Sequence, residues 1–121
     1  MAKILVVDDE PDERFLVGRT LRKQGHDVTV AENGAAGLRA VRESAPDLVV
    51  TDVMMPVMGG VALIRALHSI APDFRIIATS GLNDLATANE LQAAGIGGIL
   101  GKPYGARELL EAIHDQLSPR A

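Results

Sequence analysis

Ile4 to Asp12 reads ILVVDDEPD, an apolar run that leads directly into two adjacent acidic residues. Its four consecutive apolar residues predict a buried strand, because a strand covered on both faces shows no polar alternation. The run ends in two adjacent carboxylates, Asp8 and Asp9, and each like charge makes the other harder to ionise. Pro11 then suits the first turn of a helix. We therefore expect a buried strand that ends in a charged turn and leads directly into a helix.

Length and composition indicate one globular domain. The chain has 121 residues, of which 47% are hydrophobic, and this is enough for a single core. Because it has no cysteine, it can form neither a disulfide nor a zinc-thiolate site, which is compatible with a reducing cytoplasm. The formal net charge of −4 disfavours binding along a nucleic-acid backbone. No apolar stretch approaches the roughly 18 residues of a membrane span. We expect a cytoplasmic protein with no nucleic-acid or membrane partner.

Short apolar runs alternate with longer helical patterns along the whole chain. The predicted strands cover 3–8, 27–31, 47–52, 75–80 and 97–101, and the predicted helices cover 10–25, 33–45, 61–70, 83–95 and 105–117. Strands that alternate with helices predict a parallel sheet covered on both faces. The expected fold is therefore α/β, with five β-α units in a doubly wound, three-layer sandwich. We expect one domain over 1–121 with a core at about 3–117.

Polar residues stand at the carboxyl ends of four of the five predicted strands. Asp8 and Asp9 end the first strand, Asp52 the third, Ser80 the fourth and Lys102 the fifth. In an open parallel sheet these ends share one edge, and ligands bind there. Carboxylates without histidine or cysteine suit Mg²⁺, a lysine and a hydroxyl suit a phosphoryl group, and an aspartate can be the nucleophile. The pattern predicts an aspartate that attacks phosphorus beside Mg²⁺ and a lysine.

Four motifs carry a resemblance to a known family: ILVVDDEP, DLVVTDVMMPVMGG, IIATSG and GKP, in that order. On these motifs the chain, from Lys3 to Leu117, closely resembles the receiver domain of bacterial two-component response regulators, of the single-domain chemotaxis-regulator type. The resemblance implies a flavodoxin-like strand order, 2-1-3-4-5, with the acidic residues at the topological switch point. It also implies a cis peptide bond between Lys102 and Pro103.

The resemblance assigns the metal site and the phosphoacceptor. It implies that Asp52 receives the phosphoryl group and that Asp8 and Asp9 form the acidic pocket. Asp9, Asp52 and the main-chain carbonyl of Met54 would bind Mg²⁺ directly, and Asp8 would act mostly through water.

The resemblance also assigns the residues that would respond to the phosphoryl group. Lys102 corresponds to the phosphate-pairing lysine and Ser80 to the switch hydroxyl. Thr79 is an alternative for that hydroxyl, although Gly81 supplies the small residue that the family places just after it. Ile99 stands where the family commonly has an aromatic side chain that reports phosphorylation, which puts the usual relay in doubt.

Three functions compete on these residues. The first is a phosphoacceptor that is not an enzyme. It would take its phosphoryl group from a histidine kinase or a histidine phosphotransfer protein and would act on a downstream protein target. The second is a haloacid-dehalogenase-like phosphatase. That family has its aspartate nucleophile on the first strand and a second aspartate two residues later. Here the residue two after Asp8 is Glu10, which does not match. The third is a pseudo-receiver that only binds partners. Such domains usually lack an acid or the lysine, and neither is missing here.

We predict slow self-dephosphorylation. In the family, the residues two after the phosphoacceptor and two after the switch hydroxyl flank the path of the hydrolytic water. Here they are Met54 and Leu82, and neither can hydrogen-bond or orient a water. Decay of the phosphorylated chain after removal of the donor should be slower than in Met54→Asn combined with Leu82→Glu. Equal decay of the two proteins would contradict this apolar gate.

Overall fold

The structure is a computed structural model, and it describes residues 2–53, 59–70, 74–81, 96 and 98–118. Within these ranges the strands are β1 (Lys3–Val7), β2 (Asp27–Ala31), β3 (Leu48–Asp52), β4 (Ile76–Gly81) and β5 (Gly98–Lys102). The helices are α1 (Pro11–Lys23), α2 (Gly34–Ser44), α3 (Gly60–Ile70) and α4 (Ala106–Leu117). Every strand lies within one residue of its predicted bounds. The helix predicted over 83–95 lies outside the described residues.

The five strands form one parallel sheet in the order β2-β1-β3-β4-β5. This confirms both the predicted α/β sheet and the strand order implied by the resemblance. β1 pairs with β2 on one side and with β3 on the other, and Val7 lies opposite Thr51 of β3. Further along the sheet, Asp52 lies opposite Thr79, and Gly81 lies opposite Lys102. The registers therefore bring the carboxyl ends of β1, β3, β4 and β5 to one edge.

Among the helices of the described ranges, α2 and α3 pack against one face of the sheet and α1 and α4 against the other, which gives three layers. One core contains Leu5, Val7, Val49, Ile76 and Ala78 of the sheet with Val41 of α2 and Leu63, Ile64 and Leu67 of α3. The other contains Ile4, Val6, Leu48, Val50, Ile77 and Leu100 of the sheet with Val17 and Leu21 of α1 and Leu109 and Ile113 of α4. Side chains of a strand alternate between faces, so one unbroken apolar run supplies both cores.

A capping residue at the start of α2 and a glycine after the end of α1 stand where the sequence predicts. The Asn33 side chain accepts a hydrogen bond from the Ala36 N–H at 2.8 Å and caps α2. Gly25, which follows α1, has a φ of 88°, a conformation that glycine adopts without steric cost.

The Lys102–Pro103 peptide is cis, as the resemblance implies. No helix in the described part of the chain is long and apolar enough to cross a membrane.

Two helix glycines should respond oppositely to the same substitution. A Cβ at Gly37 of α2 would lie 2.9 Å from the Val7 side chain, whereas a Cβ at Gly18 of α1 would meet its nearest atom at 3.6 Å. We expect Gly18→Ala to stabilise the protein by about 0.5–1 kcal/mol, because alanine loses less backbone entropy in a helix. Gly37→Ala should instead destabilise it by about 1–2 kcal/mol through overpacking against the stiff Val7.

Urea unfolding of the two variants and of the native chain measures both effects. If both substitutions change the free energy of unfolding in the same direction, the close approach of α2 to β1 does not control the packing here.

Candidate phosphoacceptor site

The turn between β1 and α1 is held by hydrogen bonds to Asp8. The Glu10 N–H donates to the Asp8 carboxylate at 2.9 Å, and the Arg14 guanidinium donates to the Asp8 carbonyl oxygen at 2.8 Å. Pro11 is the first residue of the helix, and Glu10 caps it. The first turn of α1 is therefore attached to the end of β1, directly over the edge of the sheet where the charged residues gather.

The Lys102 ammonium joins three carboxylates at this edge. Its Nζ lies 2.7 Å from Glu13 Oε2, 3.4 Å from Asp52 Oδ2 and 3.9 Å from Asp8 Oδ2. Asp8 and Asp52 are 4% and 7% exposed, so both are nearly removed from water. Buried carboxylates need a compensating charge, and Lys102 supplies it. The predicted site residues Asp8, Asp52 and Lys102 are thus brought together from three strands.

An oxygen atom from each of Asp8, Glu13 and Asp52 lies within 4.8 Å of the others. This acidic triad differs from the predicted ligand set of Asp8, Asp9, Asp52 and Met54. Asp9 is exposed and does not belong to the triad, and Met54 lies outside the described residues.

The sequence analysis did not identify Glu13 as a site residue. Its position in the first helical turn suggests a favourable interaction with the helix dipole, which is the common role of an acid there. Its location could still have indicated a role in the site, because Glu13 lies in the first turn of the helix that follows Asp8, and that turn covers the end of the strand.

Ser80 and Thr79 are both buried near the carboxyl end of β4. Thr79 lies opposite Asp52 in the register, and Ser80 is one residue closer to the end of the strand. The Ser80 hydroxyl donates to the Gly81 carbonyl at 3.4 Å, which is long for a bond between these groups. The assignment of Ser80 as the switch hydroxyl stays a prediction.

Burial and neighbouring charges shift the pKa values of the site. Burial raises the pKa of Asp8 to about 7, although the Glu10 N–H and Lys102 oppose this rise. The hydrogen bond from Lys102 lowers the pKa of Glu13. Burial also disfavours the charged form of Lys102, but Glu13, Asp52 and Asp8 outweigh it, so the pKa of Lys102 is raised. The pKa shifts of Lys102 and Glu13 both favour the charged pair.

A family model for the response regulator receiver domain matches residues 4–114 of the chain. The chain belongs to this family. The strand order and the acidic edge with its lysine agree with that membership. Phosphorylation and Mg²⁺ binding are properties of the family, and the receiver domain is the signal-accepting part of two-component systems.

Individual relatives cover almost the whole chain. It is 34% identical to the chemotaxis protein CheY of Bacillus subtilis over 96% of this chain and 98% of that protein. It is 36% identical to the transcriptional regulator NtrC of Azospirillum brasilense over 97% of this chain, which spans only 24% of NtrC. Among solved structures, a response regulator receiver domain protein from Clostridium thermocellum superimposes with a TM-score of 0.91. That structure is 33% identical over 97% of this chain and 94% of its own.

The raised pKa of Asp8 should make stability depend on pH in metal-free buffer. Asp8 ordinarily titrates near 3.8 and here near 7, so the folded state binds more protons between these values. Stability should therefore fall as pH rises from about 4 to about 7, by an amount on the order of 2–4 kcal/mol. The lowered pKa of Glu13 acts only below its ordinary value of 4.5, so it leaves most of this range unaffected.

Urea unfolding at several pH values checks this expectation. Asp8→Asn should flatten the decline and should be more stable than the native chain at pH 7. A native curve that rises between pH 5 and 7, or a variant with the native slope, would contradict the assignment.

Proposed function

We propose that this chain accepts a phosphoryl group on Asp52 from the phosphohistidine of a histidine kinase or a histidine phosphotransfer protein. The modification would switch its affinity for a downstream protein target. One observation carries the proposal: the Lys102 ammonium lies 3.4 Å from a carboxylate oxygen of the buried Asp52. A carboxylate can act as a nucleophile toward phosphorus, and a cation beside it can neutralise the phosphoryl oxygens. Membership of the receiver family supports the same role.

The proposed transfer is a single displacement at phosphorus. An Asp52 carboxylate oxygen forms a bond to phosphorus while the bond from phosphorus to the imidazole nitrogen of the donor breaks. The imidazole leaves with the electron pair of that bond, and Lys102 keeps its proton throughout. In hydrolysis, a water oxygen attacks phosphorus, the Asp52 carboxylate leaves with its electron pair, and inorganic phosphate is released.

Mg²⁺ is the proposed cofactor. Asp9, Asp52 and the main-chain carbonyl of Met54 would hold it, and Asp8 would act mostly through water. The described part of the site fits such an ion, because oxygen atoms of Asp8 and Asp52 lie within 4.8 Å of each other and carboxylate oxygens suit Mg²⁺. When bound, Mg²⁺ would supply positive charge beside the phosphoryl oxygens.

The switch is proposed to act through the Ser80 hydroxyl. A phosphoryl group on Asp52 would offer new charge-assisted acceptors to Ser80 and Lys102. Ile99 is partly buried and packs against the core beneath α2 and α3. Ile99 is not an aromatic side chain that could swing between two positions. The conformational change that follows phosphorylation is therefore proposed to be transmitted through Ser80 and the end of β4 rather than through Ile99.

The extent and setting of the domain are part of the same proposal. One receiver domain would cover 1–121 with its core at about 3–117, and the family match over 4–114 supports this. The chain would work in the cytoplasm as a phosphoacceptor rather than an enzyme. No observation favours a haloacid-dehalogenase-like phosphatase or a pseudo-receiver.

Incubation with acetyl phosphate and Mg²⁺ tests the proposal. Acetyl phosphate supplies the phosphoryl group with acetate as the leaving group, so no kinase is needed. We expect intact mass spectrometry to detect one phosphoryl adduct per native chain, and no adduct in Asp52→Asn or after Mg²⁺ is removed by a chelator. Lys102→Ala should reduce the rate of adduct formation at least about tenfold, because it removes the charge beside the phosphoryl oxygens.

Two outcomes would reject the proposal. A native chain that gains no adduct would indicate a pseudo-receiver. Steady release of phosphate from other phosphate esters would indicate a phosphatase.

Asp47→Asn is a matched control, because Asp47 is an exposed aspartate that accepts a hydrogen bond from the Lys3 N–H at the opposite edge of the sheet.

A further inference from the structure

The shortest contact of the Lys102 ammonium is with Glu13. The Nζ to Oε2 distance is 2.7 Å, against 3.4 Å to the Asp52 carboxylate, although Asp52 is the residue beside which this lysine should act. A contact of 2.7 Å is a charge-assisted hydrogen bond, whereas 3.4 Å is an ion pair without a good hydrogen bond. In this state the lysine is therefore bound most closely by α1.

The position of Glu13 follows from the way α1 is attached to the sheet. The Arg14 guanidinium binds the Asp8 carbonyl oxygen, and Glu10 caps the helix, so the first turn of α1 has a defined place above Asp8. The Glu13 side chain is 44% exposed, whereas the Asp8 and Asp52 side chains are 5% and 9% exposed. Glu13 is thus the one member of the acidic triad with ready access to water.

Glu13 also has room to leave the lysine. A cleft of about 370 Å³ opens beside the pair, and its lining consists of Glu13, Leu16, Val17, Lys102, Pro103 and Tyr104. Rotation of the Glu13 side chain away from Lys102 would therefore not require a change in the packed core of the sheet.

We propose, on the basis of the phosphoacceptor function, that Glu13 is a positioning residue that competes with the phosphoryl group for Lys102. Before phosphorylation, Glu13 holds the ammonium. A phosphoryl group on Asp52 brings new negative oxygens into the space where the acidic triad already converges. Its charge attracts the same ammonium and repels the Glu13 carboxylate. The phosphorylated state therefore requires Lys102 to exchange one partner for another.

This competition should weaken binding of any phosphoryl mimic. Because Glu13 is partly exposed, its pair with Lys102 has the modest strength of a surface ion pair. Loss of the competitor in Glu13→Gln should therefore tighten binding of beryllofluoride, measured at a fixed saturating Mg²⁺ concentration, by about two- to fivefold. Acetyl phosphate should also modify the variant faster than the native chain.

Asp12→Asn is the matched control. Asp12 lies in the same first turn of α1, is exposed, and its carboxylate makes no hydrogen bond or ion pair with any residue of the described ranges. The control removes the same charge from nearly the same place, so a general electrostatic effect would appear in both variants. Glu13→Asp keeps the charge but shortens the side chain, and it should resemble Glu13→Gln if the contact with Lys102 is what matters.

A second measurement detects the lysine directly. In metal-free buffer without any phosphoryl mimic, the Lys102 ε-carbon resonance should shift in Glu13→Gln and stay at its native position in Asp12→Asn. Mg²⁺ titrations of the same proteins should give the native affinity in Glu13→Gln, because Glu13 is proposed to bind the lysine rather than the ion.

Three outcomes would overturn the inference. Equal beryllofluoride affinity in the native chain and Glu13→Gln would show that Glu13 does not compete. A large loss of Mg²⁺ affinity in Glu13→Gln would make Glu13 a metal ligand instead. An equal gain in beryllofluoride affinity in Asp12→Asn would show that the effect comes from the loss of one negative charge and not from the contact between Glu13 and Lys102. If the native chain binds no beryllofluoride and gains no adduct, the phosphoacceptor function itself fails, and this result is distinct from the other three.

Discussion

The site depends on the need to compensate carboxylates that the fold removes from water. Asp8 and Asp52 are nearly fully buried, and they come from neighbouring strands of one sheet. The loss of hydration, and to a smaller extent the repulsion from Asp52, raises the pKa of Asp8 and so favours its protonated form. Lys102 reaches them from the end of β5 and supplies a positive charge within 4 Å of both. The fold thus brings two buried carboxylates and the cation that compensates them together at one edge of the sheet.

The parallel sheet makes this edge possible. In a parallel sheet every strand ends on the same side, so residues far apart in sequence become neighbours when their strands pair in register. Val7 is the last residue of β1 and belongs to the core, and Asp8 immediately after it belongs to the site. The chain therefore passes from the hydrophobic core to the charged site between two consecutive residues. The two cores lie on the faces of the sheet and leave the edge to the charged groups.

Most of the fold, and the meeting of three charged side chains at one edge of the sheet, could be predicted from particular residues. The apolar runs before Asp8 and Asp52 predicted two buried strands, and the structure places them side by side. The polar residue at the end of β5 predicted that Lys102 would join the acids, and it does. Glu13 was not recognised, because an acid in the first turn of a helix has an ordinary explanation in the helix dipole. Its pairing with Lys102 depends on how α1 is seated, and hydrophobic periodicity does not report that.

The sequence alone was enough to predict the order of strands and helices, the layers they form, and the meeting of Asp8, Asp52 and Lys102 at one edge of the sheet. These features follow from local patterns, since apolar runs, helix caps and strand ends are each defined by a few neighbouring residues. Only the tertiary structure decided which carboxylate holds the lysine most closely. That choice depends on differences of about 1 Å between side chains from three separate segments, and such differences are set by packing and by main-chain hydrogen bonds such as the one from Arg14 to the Asp8 carbonyl. Residue spacing along the chain carries no information at that scale.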